Sequence, residues 1–111
     1  MDDYKFRVEF MEDAKQFLDK LDEKARDKVY YNIWKARSTN DKELFKKLQD
    51  EIWEFRTKYS KSYYRLFAFW DKTDKTETLV LSTHGMIKKV SKVPKAEIER
   101  AMKIRAEYFE Q

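Results

Sequence analysis

The sequence of 111 residues contains no cysteine and only one histidine, one glycine and one proline. Without cysteine the chain can form neither disulfides nor thiolate metal sites, which fits a reducing cytosol. One histidine cannot hold zinc without several carboxylates, and one glycine excludes a glycine-rich phosphate loop. The acidic start does not resemble a signal peptide, and no apolar run approaches the length of a membrane span. We therefore expect a cytoplasmic protein with no metal, no cofactor and no membrane partner.

Charge and aromatic rings are abundant in the sequence. Charged residues make up 41% of the chain, and it contains three Trp, seven Tyr and eight Phe. Disordered chains are poor in aromatics, so this chain is expected to fold, and its length predicts a single domain, 1–111. The net charge of +4 comes from residues 52–111, which carry 13 Lys/Arg against 8 Asp/Glu. This basic half is either a solvated surface or a surface that faces a polyanion such as nucleic acid.

The spacing of apolar residues predicts an α+β fold. Residues 4–10 alternate apolar and charged as in a half-buried strand, and two helices follow, the second with Asp22 as its N-cap. Asn40 and Glu43 resemble a capping box that opens a short helix. Three strands and a C-terminal helix complete the predicted order β-α-α-β-β-β-α, in which the N-terminal strand and helical hairpin pack on a largely antiparallel sheet. The predicted strands cover 52–59, 63–70 and 77–84, and Pro94 opens the last helix.

Arg56 and Arg65 interrupt two aromatic strands that are separated by a short polar turn. If these strands form a hairpin, the two arginines lie near each other. A guanidinium can hold a phosphate through two hydrogen bonds and can offset charge in a phosphoryl-transfer transition state. The alternative is a structural salt bridge, between Arg56 and Glu54 or between Arg65 and an acid of the helical hairpin.

His84 precedes Gly85 at the predicted end of a strand, where we expect a turn that needs positive φ. With an ordinary pKa near 6.5, a histidine there suits general acid or base catalysis, and the alternative is a structural histidine. Tyr63 is suited to stacking on an RNA base, whereas Tyr64 should face the core with Leu66. A basic run either forms a solvated loop or holds RNA phosphates, and its members are Lys88, Lys89, Lys92 and Lys95.

Four motifs occur in order between residues 52 and 101. They are Ile52-Trp53-Glu54-Phe55-Arg56, Tyr64-Arg65-Leu66-Phe67, Thr83-His84-Gly85-Met86-Ile87-Lys88-Lys89 and Pro94-Lys95-Ala96-Glu97-Ile98-Glu99-Arg100-Ala101. This set resembles the HigB-like branch of the RelE/ParE toxin superfamily, which typically has Trp-Glu-Leu-Arg, Tyr-Arg, His-Gly-Phe-x-Lys-Lys and Thr-Pro-x-x-Glu-Ile at these places. The chain departs from the branch at Met86, where Phe is common, and at Val93, where Thr is common.

The resemblance implies the toxin of a type II toxin–antitoxin system that cleaves ribosome-bound mRNA without a metal ion. In that reaction the 2′-hydroxyl attacks the adjacent phosphate. The implied partners are a helix-turn-helix antitoxin, mRNA and the ribosome. The implied catalytic residues are Arg56, Arg65, His84 and Lys88, and the implied RNA-binding residues are Lys58, Tyr63, Lys89, Lys92 and Lys95. This assignment requires Arg56, Arg65 and Lys88 to share one face of the sheet.

Two other functions remain open at this point. ParE-like relatives share the fold but poison DNA gyrase, and a fold does not fix a function. The cluster of basic residues favours the nuclease, because a gyrase binder has no need of groups that act on phosphate. The second alternative is a module that binds RNA or protein without catalysis.

Overall fold

The computed structural model describes residues 5–74, 78–89 and 92–111. These residues form a mixed α+β fold of five strands in one sheet and three helices. In chain order the elements are β1 (Arg7–Phe10), α1 (Glu12–Asp19), α2 (Glu23–Ser38), β2 (Phe45–Gln49), β3 (Ile52–Tyr59), β4 (Ser62–Asp71), β5 (Leu79–Lys88) and α3 (Lys95–Phe109). The predicted α+β class and C-terminal helix are confirmed. Residues 4 and 77, which the sequence places in strands, lie outside the described residues.

The strands are arranged in the order β1-β5-β4-β3-β2. β1 pairs with β5 in parallel, and the other three pairings are antiparallel, so the prediction of a largely antiparallel sheet is correct. The turn between β3 and β4 is formed by Ser60 and Lys61, which both have positive φ, 49° and 69°. No helix of the described residues is both long and apolar enough to cross a membrane.

The short helix predicted after the helical hairpin is wrong, because residues 45–49 form the edge strand β2. The segment before β2 forms only a single turn. In this turn the Asp41 side chain accepts a hydrogen bond from the Glu43 backbone N–H at 2.8 Å. Phe45 packs on one face of the sheet, whereas Leu48 packs on the other after a shift in the strand register. The spacing of these two apolar residues fits a helix as well as an irregular strand, and pairing with β3 decides between them.

One face of the sheet, the hairpin face, is covered by α1 and α2. Asp22 caps α2 as predicted, since its carboxylate accepts from the Ala25 N–H at 3.1 Å. The buried residues of this face are almost all apolar. They include Ala14, Leu18, Ala25, Val29 and Ile33 from the helices and Phe55, Leu66, Ala68 and Val80 from the strands.

Gly85 lies inside β5 and does not have positive φ, so the predicted strand end after His84 is wrong. A Cβ atom on Gly85 would lie 2.3 Å from Cδ2 of Phe17, a distance that real atoms do not tolerate. The glycine is therefore needed for the close approach of α1 to the sheet. Its role is steric and does not depend on an unusual backbone conformation.

The opposite face, the α3 face, is covered by the C-terminal helix, which begins directly after Pro94 as predicted. Tyr108 near the end of α3 donates its hydroxyl to the Asp71 carboxylate at 2.5 Å, which holds the helix to the end of β4. The apolar residues buried here are Ile52, Phe67, Phe69, Leu81, Met86, Ile98 and Ala101. Beside this apolar cluster the same face buries Glu54, Arg65 and His84.

Candidate functional site

The strand register places the predicted residues in rows across β3, β4 and β5. From the β3–β4 turn inward the rows are Lys58–Tyr63–Lys88, Arg56–Arg65–Met86 and Glu54–Phe67–His84. Residues that lie opposite each other in paired strands point to the same face of a sheet. Arg56, Arg65 and Lys88 therefore share the α3 face, which is the arrangement that the catalytic assignment requires.

Arg65 lies inside the protein. Its side chain is 1% exposed, and its Nη1 donates to both carboxylate oxygens of the fully buried Glu54 at 2.6 Å. This is the salt bridge that the sequence offered as an alternative, but the acid comes from the neighbouring strand and not from the helical hairpin. In this structure the guanidinium is not placed to contact a phosphate in solvent. Its Cζ lies 5.3 Å from the centroid of the Tyr63 ring.

A cavity of about 320 Å³ lies beside β3, just beyond the start of β2. Arg56 lines it and forms an ion pair with the exposed acid Glu43, with Nη2 and Oε2 2.9 Å apart. The acid paired with Arg56 is therefore Glu43 and not Glu54. We call this the turn cavity, and its lining residues are Asn32, Glu43, Leu44, Arg56, Lys58 and Tyr63.

Tyr63 is surrounded by positive charge. The Arg56 Cζ lies 6.0 Å and the Lys58 Nζ 5.6 Å from its ring centroid, in addition to the buried Arg65. Cations over an aromatic ring are attracted to its electron-rich face. An accessible ring among cations is also the combination that can stack on a nucleotide base and neutralise its phosphate. Tyr64 instead points to the hairpin face and packs against the core there, as predicted.

His84 is buried beneath the first turn of α3, with 1% of its side chain exposed. Its Nδ1 lies 2.9 Å from the Thr83 hydroxyl, and its Nε2 lies 3.3 Å from Glu97 Oε1. Burial lowers its pKa, the charge of Arg100 lowers it further, and Glu97 opposes both. The imidazole is therefore neutral near pH 7. It lies two rows, or roughly 13 Å, from Lys88 along β5, so its predicted role in proton transfer stays a prediction.

The predicted lysines lie at the surface near the β3–β4 turn and at the start of α3. Lys88 ends β5 in the same row as Tyr63, and Lys89 follows it. Lys92 precedes α3 and Lys95 is its first residue, and all four lysines are exposed. The described ranges hold no group of three or more His, Asp or Glu side chains that could bind a metal ion.

Two acids of this region were not identified as site residues from the sequence. Glu43 was interpreted as part of a capping box, and nothing in its local pattern indicates that it pairs with Arg56. Glu54 was considered as a partner of Arg56 alone. Alternation along the two strands gives a usable signal here, because Glu54 and Arg65 fall on the same face once the turn at Ser60 is fixed.

Comparison with known proteins gives one family. A protein-family model described as phage derived protein Gp49-like (DUF891) matches residues 16–106 of the 111 residues. The matched range contains the whole turn cavity, the Glu54–Arg65 pair and His84. No curated protein matches the chain.

Proposed function

The chain belongs to the family of phage-derived Gp49-like proteins, and on this premise we propose that it is a toxin that cleaves mRNA. The family consists of toxin-like proteins of toxin–antitoxin systems, which implies a cognate antitoxin as partner. We further propose that the chain is related to the RelE/HigB branch, that its antitoxin is a helix-turn-helix protein and that its substrate is ribosome-bound mRNA. Residues 1–111 then form a single toxin domain that acts in the cytoplasm.

The turn cavity is the observation that carries this proposal. Arg56 and Lys58 lie around the Tyr63 ring, and Lys88 continues the same row of the sheet. One base can stack on the tyrosine while its phosphate contacts the cations. Exposed lysines beyond this row can hold the flanking phosphates, and these are Lys89, Lys92 and Lys95.

The proposed reaction needs no metal ion. The 2′-hydroxyl gives its proton to a general base or to water, and its oxygen bonds to the adjacent phosphorus while the bond from phosphorus to the 5′-oxygen breaks. The 5′-oxygen takes up a proton, so the products are a cyclic phosphate and a 5′-hydroxyl. Arg56 offsets the charge that builds on the phosphate, for which it must exchange Glu43 for the substrate. Lys88 lies on the phosphate or donates a proton to the departing 5′-oxygen.

The two buried members of the predicted site have different parts in this proposal. Arg65 is a positioning residue, because its guanidinium lies beneath Tyr63 and is itself held by Glu54. His84 can take part in proton transfer only if the start of α3 moves away, since that helix covers it.

The test is controlled expression in a bacterial host, with RNA ends mapped by primer extension. The wild type should arrest growth and produce codon-phased cuts. Arg56→Ala should reduce cutting by roughly 100-fold or more, the effect typical of losing one group that stabilises charge in the transition state. Lys35→Ala is the matched control, because it removes one exposed cation from α2.

The other outcomes separate the competing functions. Growth arrest with DNA damage and intact mRNA would replace the nuclease with a gyrase poison. Absence of both arrest and cutting, with RNA or protein binding retained, would indicate a module without catalysis. If Arg56→Ala cuts as well as Lys35→Ala, the turn cavity is not the cleavage site.

A further inference from the structure

A second and larger cavity lies at the other end of the strands, where β3 begins and β4 ends. Its volume is about 550 Å³. Trp53 in its wall and Lys58 in the turn cavity are five residues apart on β3, which corresponds to roughly 17 Å. We call it the tryptophan cavity, and its walls contain three aromatic rings and three cations, Trp53, Trp70, Phe109, Lys47, Lys72 and Arg105.

Two of the three cations of the tryptophan cavity lie over aromatic rings. The Lys72 Nζ lies 5.2 Å from the Trp70 ring, and the Arg105 Cζ lies 5.0 Å from the Phe109 ring. Neither these two residues nor Lys47 forms an ion pair with any residue of 5–74, 78–89 or 92–111. Arg56 in the turn cavity, by contrast, already has Glu43. The tryptophan cavity therefore has three cations against one carboxylate, Glu51, and none of the three forms an ion pair with a described residue.

Its walls also have more hydrogen-bond donors than acceptors. The Trp70 Nε1 and the Arg105 Nε are buried and have no acceptor among the described residues. Buried N–H groups of folded proteins nearly always have a partner. The lining includes one carboxylate, Glu51. These two N–H groups are shielded from solvent, so the ligand is indicated by the lining side chains instead. Three cations favour a ligand with negative charge, and the rings favour a flat apolar part.

We propose that the tryptophan cavity binds a nucleotide, with the base against the indoles of Trp53 and Trp70 and the phosphate near Lys47, Lys72 and Arg105. Aromatic rings stack on bases of any sequence, and cations supply the contact to phosphate. A cavity of this size lies within the range of small-ligand sites. An acidic peptide would satisfy the charge but would make less use of the indole walls.

This site is separate from the proposed cleavage site and does not depend on cleavage. The nucleotide has two possible sources, a free mononucleotide or one unit of a single-stranded RNA that contacts the protein at both cavities. The two sources share the same chemistry and differ in the length of chain that binds best.

The test uses the fluorescence of the full-length protein with Trp34→Phe as background, because Trp34 is exposed on α2 and the other two tryptophans line the cavity. Titration with AMP should quench the fluorescence saturably. Adenosine, which lacks the phosphate, and ribose 5-phosphate, which lacks the base, should each bind roughly tenfold or more weakly. Added salt should weaken AMP binding.

The double variant Lys47→Ala, Lys72→Ala should weaken AMP binding by about tenfold or more, because it removes two of the proposed phosphate-binding cations, both at exposed positions. Lys35→Ala is again the control and should bind AMP like the background protein. An oligoadenylate of about ten nucleotides that binds far more tightly than AMP, with the same loss in the double variant, would identify RNA as the source. Equal affinities would identify a free nucleotide.

Two results would overturn the proposal. One is the absence of saturable quenching by both AMP and the oligoadenylate up to millimolar concentration. The other is binding of an acidic Glu/Tyr copolymer that depends on Lys47 and Lys72 while AMP fails to compete, which would mean a site for a protein segment. Nucleotide binding without mRNA cutting in cells would leave this site in place while the proposed function fails.

Discussion

The two faces of the sheet are stabilised by different chemistry. On the hairpin face the rings of Phe45 and Phe55 stack at 4.2 Å within an apolar cluster, and no described residue buries a charge there. The α3 face buries a charged pair, Glu54 and Arg65, together with the titratable His84. Apolar burial is non-directional, whereas a buried charge depends on its particular partner. The α3 face should therefore be the more sensitive of the two to loss of a single polar group.

The largest expected effect is that of Arg65→Met. It leaves the Glu54 carboxylate buried without a partner, so we expect the free energy of unfolding to fall by about 3–5 kcal/mol. Urea unfolding followed by circular dichroism measures it. Arg56→Met should cost less than about 1 kcal/mol, because its acid, Glu43, is 83% exposed. Replacing both members of the buried pair, with Glu54→Leu and Arg65→Met, should restore most of the loss. Equal costs for Arg65→Met and Arg56→Met would show that burial of the charged pair on the α3 face does not set its cost.

Gly85→Ala tests the close packing of α1 on the hairpin face. The added Cβ meets the Phe17 ring, so we expect a loss of about 1–3 kcal/mol in unfolding free energy. Combining it with Phe17→Leu should make the added cost of the alanine smaller, since the ring that it meets is gone. Thermal unfolding of the four proteins in this cycle measures the coupling. If the alanine costs the same with leucine at position 17, the contact with Phe17 does not explain the glycine.

The sequence predicted those parts of the molecule whose signals are local. The capping aspartate of α2, the turn at Ser60 and the start of α3 after Pro94 all appear where predicted. Gly85 was predicted to lie in a turn with positive φ, whereas the structure needs it because the Phe17 ring lies against it. The sequence does not show which distant ring approaches the glycine. The strand β2 was missed since its short apolar spacing fits two periods.

For the candidate site, the sequence predicted which residues face each other better than it predicted what surrounds them. The register confirms that Arg56 and Arg65 face each other across a hairpin. Their surroundings differ, because Arg65 is buried against Glu54 whereas Arg56 pairs with Glu43 from the segment before β2. The depth of burial and the acid from the distant segment are not encoded near the arginines themselves. The tryptophan cavity was not predicted, because its walls come from β2, β3, β4 and α3.

We expect a group on the α3 face, His84, to make the stability of the protein depend on pH. The pKa of His84 is lowered in the folded protein below its ordinary value of 6.5, so the unfolded chain takes up the proton first as the pH falls. Stability is then lost as the pH drops below about 6.5, by at most about 1.4 kcal/mol per pH unit for one proton. The charged groups near this imidazole are Arg100, Glu97 and Asp13.

The measurement for His84 is the difference between the wild type and His84→Asn in unfolding free energy at pH 7 and at pH 5. The subtraction removes the contribution of the carboxylates, which titrate in both proteins. We expect the wild type to lose more stability than the variant between the two pH values. A variant with the same slope would show that His84 does not couple folding to pH.

The smallest expected effect is a gain in stability at the turn between β3 and β4. Lys61 has a φ of 69°, a conformation that costs a non-glycine residue free energy. Lys61→Gly should raise the unfolding free energy by about 0.5 kcal/mol, after allowance for the greater freedom of glycine in the unfolded chain. Lys61→Ala is the control and should bring no such gain.

The parallel pairing of β1 with β5 has a consequence for how the protein is made. Arg7 pairs with Leu79, and the ladder ends at Phe10 with Ser82. β1 therefore cannot pair with β5 until β5 has left the ribosome. Such distant pairing delays folding relative to structures built from local contacts. We therefore expect the growing chain to form its helical hairpin early and to close its sheet only after β5 has emerged. The five-stranded sheet would thus be complete only after residue 88 has left the ribosome.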